Sequence, residues 1–449
     1  MERSKYEPRN AFRLNLNMFT MAGIWPAGVK QQNLRYLYVI YNILAPGICF
    51  GSFFIFQFIH ILLVINDLQQ VIDAGYLMVT YFAILSKFTC FLWHRKRVEK
   101  LFNTLTDPIF LPRLPKHYDF MNEAMRIVRR DSIFFLSSGI SATIFWTFYP
   151  LFDSSTSRQL AYTMWCPINT TTSPSFELVY TYQVIAITYN TIFNTMTDTT
   201  ICGLFRMMSG HLDVLAQDYE SIFNETFISP GEMLPENLHI NNITKESNIN
   251  SEKFSINPEE KQTMFQKMKT ISSPNSNTKQ STVIQQTIST ETLSSRITAC
   301  VKYALAIEKF VYEINDIFGN GILTQFIASC LIICATAFAL TMVPLASVQF
   351  VSLLQYQGCM IIQIFIYCWR GNELTLKFSD LSDAIYKCRW PATSSNFTKV
   401  MNIIMGRQQK PVVLIVAGLF SLSVQTFISI IKSAYSFFMF LKEVQTIEE

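Results

Sequence analysis

Seven long apolar runs dominate the pattern of hydrophobic and polar residues along the 449-residue chain. Each carries few or no charges and is long enough for a helix to cross the roughly 30 Å hydrocarbon core of a bilayer. The runs cover residues 37–65, 72–93, 133–151, 178–205, 322–343, 348–369 and 412–441. Pro46 predicts a kink in the first run. The pattern therefore predicts an all-α membrane protein with seven transmembrane helices.

The distribution of Lys and Arg between the connecting segments predicts how these helices are oriented, because cytoplasmic segments retain such residues. The N-terminal segment carries six, the second loop nine and the sixth loop seven. The first and fifth loops carry none, and the third loop and the tail carry one each. We therefore expect a cytoplasmic N-terminus and an extracellular C-terminus, which is the inverse of a G-protein-coupled receptor.

This topology divides the chain into segments. A cytoplasmic N-terminal segment (1–36) precedes helices 1–4 (37–205) and a long cytoplasmic loop (206–295). The loop is followed by helices 5 and 6 with a cytosolic extension (296–369), a cytosolic anchor helix region (370–410), helix 7 (411–441) and a short extracellular tail (442–449). The long loop is rich in Ser, Thr, Asn, Gln, Glu and Lys. Such a composition buries too little apolar surface to offset the entropy lost on ordering, so we expect a largely disordered loop.

Composition narrows the possible chemistry. Only 15% of the residues are charged, against about 25% in ordinary soluble domains, and the net charge of +4 is too dispersed to indicate nucleic-acid binding. The sequence holds no HExxH, GxSxG, GxGxxG or Walker motif, and its five histidines are scattered. Ionisable residues in the runs are few, with Lys87 and Asp198 expected near cytosolic ends. The sequence predicts no enzyme, no cofactor and no metal site.

Polar side chains recur along one face of the seventh run, at steps of three or four residues. The series is Ser421, Gln425, Ser429, Lys432, Ser433 and Ser436, followed by Phe440 and Glu443. A water-lined pore that ends in a hydrophobic gate has this pattern. Small polar residues also join packed membrane helices. Periodicity alone leaves both interpretations open.

Aromatic residues gather in the expected outer halves of helices 2, 3, 4 and 6. An apolar cavity with a few hydroxyl and amide groups suits a small, volatile, weakly polar molecule. The candidate ligand-binding residues are Tyr76, Tyr81, Phe145, Trp146, Tyr149, Tyr182, Tyr189, Phe350, Tyr356 and Gln357. An aromatic belt at the membrane surface needs no ligand and explains Trp146 and Tyr149 well. It explains the deeper Tyr189 and Tyr356 less well.

One glycosylation sequon lies on the expected outer side. Asn169 opens the sequence Asn-Thr-Thr in the third loop, and we expect it to carry a glycan. Further sequons at Asn224, Asn242 and Asn396 fall in segments expected to be cytosolic and should remain unmodified.

Motifs at both ends of the chain narrow the prediction further. Gly23-Ile24-Trp25-Pro26 precedes the first run, and the C-terminal block contains Gly371-Asn372-Glu373, Ser379, Ala384, Tyr386, Trp390, Lys410-Pro411, Phe420-Ser421-Leu422-Ser423, Phe427 and residues 435–441. These motifs resemble those of the insect odorant receptor family, most specifically from about Ile361 to the end. The resemblance implies a seven-helix, ligand-gated, non-selective cation channel subunit that forms a heterotetramer with a shared co-receptor.

The resemblance also implies roles for single residues. The seventh helices of such channels line one central pore, and each ligand pocket lies among helices 2, 3, 4 and 6. Phe440 falls at the hydrophobic gate, Glu443 and Val444 at the outer pore mouth, and Asn372, Tyr386 and Trp390 in the cytosolic anchor between subunits. A small volatile ligand and a location in the plasma membrane of olfactory sensory neuron dendrites follow as further expectations.

Two features depart from the family pattern. Lys432 is awkward in a cation pathway, and the long fourth loop is more typical of the co-receptor. The two termini differ from those of the co-receptor, which favours the odour-tuning subunit. A gustatory receptor channel with more polar ligands is one alternative. A transporter is another, although the chain lacks the matched broken helices and midplane charges typical of transporters, and an intramembrane enzyme would need a catalytic constellation.

Overall fold

The chain folds as a bundle of α-helices in the structure, a computed structural model. The structure describes residues 6–25, 32–152, 160–170, 172–223, 227–230, 290–345, 347–388, 395–409 and 412–448. The all-α prediction is confirmed. Most of the loop that we expected to be disordered, residues 231–289, lies outside the described residues.

Eleven α-helices follow one another in these ranges. The first seven are α1 (Arg13–Met21), α2 (Gln32–Pro46), α3 (Phe53–Leu63), α4 (Leu68–Trp93), α5 (Arg95–Thr104), α6 (Pro115–Phe152) and α7 (Ser175–Glu220). The others are α8 (Thr290–Met342), α9 (Val348–Lys387), α10 (Ser395–Gln408) and α11 (Val424–Glu448). Short 3-10 helices cover Pro8–Phe12 and Pro108–Phe110, and a hairpin of β1 (Ile415–Val416) and β2 (Phe420–Ser421) precedes α11.

A π-helical segment, Gly47–Ser52, joins α2 to α3 directly after Pro46. Proline has no backbone N–H and its ring clashes with the carbonyl four residues earlier, so it interrupts the regular hydrogen-bond pattern. The irregularity therefore lies where the sequence predicts a kink.

Among the described residues, five helical stretches are long and apolar enough to cross a membrane. They are Tyr36–Leu63, Ala74–Trp93, Thr292–Met342, Val348–Lys387 and Val424–Glu443. The predicted runs at residues 133–151 and 178–205 lie inside α6 and α7, whose hydroxyl and amide side chains dilute the apolar character. The chain is thus a helical membrane protein.

The seventh run is shorter as a helix than predicted. We expected a helix from residue 411 or 412, but α11 begins at Val424. Residues 415–421 form the hairpin instead, because the backbone turns through left-handed conformations at Ala417 (φ 47°) and Gly418 (φ 75°). Glycine adopts this conformation without steric cost. The apolar run therefore contains a turn that hydrophobicity alone does not reveal.

The loop predicted at residues 206–295 begins with ordered helix in the structure. Residues 206–220 continue α7 as helix, and most of them are buried. Met207, Met208 and Leu212 are almost completely buried. The helix continues because these residues find apolar partners on neighbouring helices, so the loop is shorter than 206–295.

Helix α7 is the centre of the bundle. It packs against α6, α9, α8 and α4, while α4 also packs against α8. Helices α7 and α9 are parallel to each other, and α6 is antiparallel to both, so the bundle has two ends. We call the upper end the one that holds the C-terminus of α6 and the N-termini of α7 and α9. The lower end holds the N-terminus of α6 and the C-termini of α7 and α9.

The lower end contains a buried ion pair between Arg113 and Asp218, whose side chains are 4% and 1% exposed. Two histidines lie nearby, with Nε2 of His117 3.4 Å from the Asp218 carboxylate. Burial, with the Arg113 charge, lowers the pKa of both His117 and His211 to about 3. Both imidazoles are therefore neutral at neutral pH, and Arg113 is the cation that balances Asp218.

Replacement of Asp218 by Ala should destabilise the protein by about 3–5 kcal/mol, because it leaves the buried Arg113 charge without a partner. The matched control is Asp213→Ala, which breaks the more exposed Lys377–Asp213 pair. That pair should contribute about 1 kcal/mol or less. Thermal unfolding of the detergent-purified variants measures both changes, and equal shifts would contradict the assignment.

Candidate functional site

A cavity of about 430 Å³ lies within the upper half of the bundle. Its walls come from α4, α6, α7, the end of α8, α9 and the segment 160–163. Cavities of roughly this size hold small-molecule ligands in many proteins. The cavity is therefore the candidate functional site.

Four aromatic rings surround the upper part of the cavity. Trp146 stacks on Tyr162 with 5.8 Å between ring centroids, and Tyr76 lies 6.0 Å from Trp146 and 5.9 Å from Tyr356. The hydroxyl of Tyr356 is hydrogen-bonded to Oγ1 of Thr80 at 2.5 Å. These rings offer a largely apolar surface with few polar atoms, which suits a weakly polar molecule.

Four of the ten predicted ligand-binding residues line the cavity, namely Tyr76, Tyr81, Trp146 and Tyr356. Five others do not. The side chain of Phe145 is 44% exposed, and Phe350 and Gln357 are absent from the cavity wall. A neighbour in a helix points about 100° away, so Phe145 and Gln357 cannot share the direction of Trp146 and Tyr356. The side chain of Tyr149 lies outside the described residues.

The remaining two predicted ligand residues hold the bundle together. Tyr182 is hydrogen-bonded to Oγ of Ser52 at 2.6 Å and packs against Phe53. Tyr189 donates a hydrogen bond of 2.8 Å to the carbonyl of Ala22. Neighbouring segments already provide hydrogen-bond partners for both hydroxyl groups. The sequence assigned these two tyrosines to the ligand because of their expected depth in the membrane, but their position is explained by packing within the bundle.

Several polar residues of the cavity were missed in the sequence. Asn190, Asn194 and Asp198 follow one another at four-residue steps on α7 and all line the cavity. Thr191 on α7 is hydrogen-bonded to Thr143 on α6 at 3.0 Å. The four-residue spacing of these three α7 residues could have identified them in the sequence, because steps of four place side chains on one helix face.

The lower end of the cavity is closed by a buried ion pair between Lys87 of α4 and Asp198 of α7. The two charged atoms are 2.5 Å apart, and the side chains are 1% and 0% exposed. Lys87 also donates to Asn194 at 2.8 Å, and Asp198 accepts hydrogen bonds from Tyr367 at 2.6 Å and from Gln363. We expected Lys87 and Asp198 near cytosolic helix ends. In the structure both side chains lie in the interior of the bundle, where each charge compensates the other.

The polar stripe of α11 is exposed on the isolated chain. Gln425, Ser429, Lys432, Ser433, Ser436 and Glu443 are all exposed, and Phe440 is 63% exposed. The helix contacts α8 and α9 with its other side, and only 6% of its most apolar window is buried. The stripe therefore does not join α11 to another helix of the described chain. The side chain of Val444 lies outside the described residues.

The other predicted residues that the structure describes do not line the cavity. Asn372 lies on α9, and Tyr386, near the C-terminus of that helix, is 70% exposed. Trp390 lies outside the described residues. Asn169 is exposed in the segment between α6 and α7. Among the described residues, no group of His, Cys, Asp and Glu side chains could hold a metal ion.

These features define a helical membrane protein with a small-molecule cavity between its helices. The family model described as 7tm Odorant receptor matches residues 67–435. Odorant receptor Or1 of Anopheles gambiae is 21% identical over 445 residues, which cover 98% of this chain and 97% of that protein. Odorant receptor 94a of Drosophila melanogaster is 34% identical over 125 residues, 27% of this chain and 32% of that protein.

A solved structure has the same fold. The insect olfactory receptor OR5 from Machilis hrabei, in complex with eugenol, superposes with a TM-score of 0.72 at 14% identity, over 97% of both chains. The chain therefore belongs to the 7tm odorant receptor family, which confirms the resemblance seen in the sequence. Its relatives are insect odorant receptors and not enzymes.

The Lys87–Asp198 pair should be essential for stability. Lys87→Met should cost about 3–5 kcal/mol, because Asp198 is left charged and buried without a counter-ion. The double variant Lys87→Met, Asp198→Leu should recover part of this loss, since no charge then remains in the interior. Thermal unfolding of the detergent-purified variants tests this order. A double variant that is less stable than Lys87→Met would contradict it.

Proposed function

We propose that the chain is the odour-tuning subunit of a ligand-gated, non-selective cation channel. In this proposal seven helices cross the plasma membrane of an olfactory sensory neuron, with the N-terminus inside and the C-terminus outside. The chain assembles with an odorant co-receptor into a heterotetramer. A small volatile molecule binds in the cavity and shifts the equilibrium between closed and open states, which requires different affinities for the two states.

The exposed polar face of α11 is the observation that carries the channel proposal. Ser429 and Ser436 donate to carbonyls of their own helix, but the amide of Gln425 and the ammonium group of Lys432 need water or another polar partner. Within the described chain this face has no helix against it. A pore shared with the α11 helices of other subunits supplies the water. Gln425, Ser429, Ser433 and Ser436 then line the pore, Phe440 forms its gate, and Glu443 and Val444 stand at its outer mouth.

The anchor is part of the same proposal. Asn372, Tyr386 and Trp390 belong to the cytosolic region that holds the subunits together. The large exposed fraction of Tyr386 supports this role, because an exposed aromatic ring is available to a partner subunit. Lys432 is also exposed on α11 and faces away from its own bundle.

The cavity supports a receptor for a small, mostly apolar molecule. Its size suits such a ligand, and its upper part is aromatic. The similar structure OR5 from Machilis hrabei was solved with eugenol, a small aromatic molecule. By analogy with that protein, the cavity of this chain binds ligands of comparable size.

The ligand assignment is tested by replacing Trp146 with Ala and recording ligand-evoked currents in cells that also express an odorant co-receptor. Loss of the ring removes apolar contact with the ligand, so the half-maximal concentration should rise about tenfold or more. Phe145→Ala is the matched control, because this neighbouring ring does not line the cavity. Currents evoked by a direct co-receptor agonist should not change. Equal shifts for the two variants would remove the cavity from ligand binding.

Orientation is tested through Asn169. If the segment between α6 and α7 is extracellular, this exposed residue carries a glycan, and Asn169→Gln should increase electrophoretic mobility as much as enzymatic deglycosylation does. Asn242→Gln serves as the control, since its sequon lies in the loop assigned to the cytosol, and it should leave mobility unchanged. A mobility change for Asn242→Gln alone would invert the proposed topology.

A further inference from the structure

Asn194 lies on the cavity face of α7, one helical turn from Asp198. Its Oδ1 accepts a hydrogen bond of 2.8 Å from the ammonium group of Lys87, which Asp198 holds in turn. An ammonium group only donates hydrogen bonds. The carbonyl oxygen of Asn194 therefore faces Lys87, and the ion pair fixes the direction of the amide nitrogen.

That nitrogen is an available donor. No group in the described part of the chain accepts a hydrogen bond from Nδ2 of Asn194, although the residue is 92% buried, with 8% exposed. Trp146 Nε1 and Asn190 Oδ1 also lack partners, but neither atom has accessible surface. A molecule inside the cavity can therefore reach the Asn194 amide and not the other two atoms. A buried donor without an acceptor costs free energy until a ligand supplies one.

The donor lies well below the aromatic part of the cavity. Gly139 of α6 faces this level of α7, since a Cβ atom there would lie 2.9 Å from the methyl groups of both Thr191 and Thr195. Trp146 is seven residues further along α6, which corresponds to about 10 Å of helix. The wall between these levels includes the apolar side chains of Leu77, Ala142 and Ile187.

We propose that the ligand of this cavity is a neutral molecule with a hydrogen-bond acceptor at one end, such as a ketone, ester or ether oxygen. Asn194 Nδ2 donates to this oxygen, and an apolar body of about 10 Å extends to Trp146. A charged ligand is not required, because Lys87 and Asp198 neutralise each other and Asp198 already accepts from Gln363 and Tyr367. The inference rests on the proposed receptor function and names the ligand class of the same site.

The test compares straight-chain ketones with alkanes of equal length as probes, in cells that express the full chain and an odorant co-receptor. Asn194→Leu removes the donor and should raise the half-maximal concentration for ketones about tenfold, the effect of one hydrogen bond. Asn194→Asp also removes the donor but keeps an oxygen toward Lys87, and it should show the same loss of ketone sensitivity. It serves as the test variant if Asn194→Leu does not reach the cell surface. Thr197→Val is the control, because Thr197 lies on the same helix, does not line the cavity and donates to the Phe193 carbonyl of its own helix.

Each outcome decides between the two claims. A wild-type response to ketones that falls with both Asn194 variants and not with Thr197→Val supports the inference. A wild type that responds equally to ketones and alkanes, or Asn194 variants with unchanged ketone sensitivity, overturns the inference and leaves the receptor function intact. A wild type that gives no current with either series, while a co-receptor agonist still opens the channel, overturns the ligand class. If cells that express the wild type respond neither to the ketones and alkanes nor to the co-receptor agonist, the result counts against the proposed channel function.

Discussion

A hydrocarbon layer provides no hydrogen bonds, and this constraint organises the whole molecule. Every polar side chain on a membrane helix needs a partner inside the protein or contact with water. In this chain the polar groups of α4, α7 and α9 meet around Lys87 and Asp198, where the two charges compensate each other. On α11, Ser429 and Ser436 donate to carbonyls of their own helix, and the polar stripe stays exposed in the described chain. One set closes the cavity, and the other set is exposed on the single chain.

Helix α9 connects these two regions. Its upper part lines the cavity through Tyr356 and Gln363, and its lower part meets the segment that leads into α11. At Gly371 the contact with Leu422 is so close that a Cβ atom would lie 2.9 Å from the Leu422 carbonyl oxygen. Phe365 also packs against Phe427 with 5.5 Å between ring centroids. In the proposed gating mechanism, these direct contacts transmit a ligand-induced shift of α9 to the start of α11.

The sequence predicted the all-α architecture, and four of the ten residues that it assigned to the ligand line the cavity. Long apolar runs identify membrane helices because length and hydrophobicity are local properties. The turn at Ala417 and Gly418 was missed, since an apolar run does not reveal its backbone conformation. Tyr182 and Tyr189 were assigned to the ligand because aromatic content does not show which ring is already hydrogen-bonded. The pairing of Lys87 with Asp198 joins residues 111 positions apart, which no local pattern records.

The central claim is that the exposed face of α11 meets water in a shared pore. It is tested most directly by placing single cysteines along this helix, with the co-receptor present, and applying a charged thiol reagent during ligand-evoked current. Ser433→Cys should react and lose current, whereas Ala434→Cys, 1% exposed and packed toward the bundle, should not. The parent chain should be insensitive, which controls for its own ten cysteines. A reagent that never alters the current of Ser433→Cys, or of cysteines at Ser429 and Ser436, would contradict the pore.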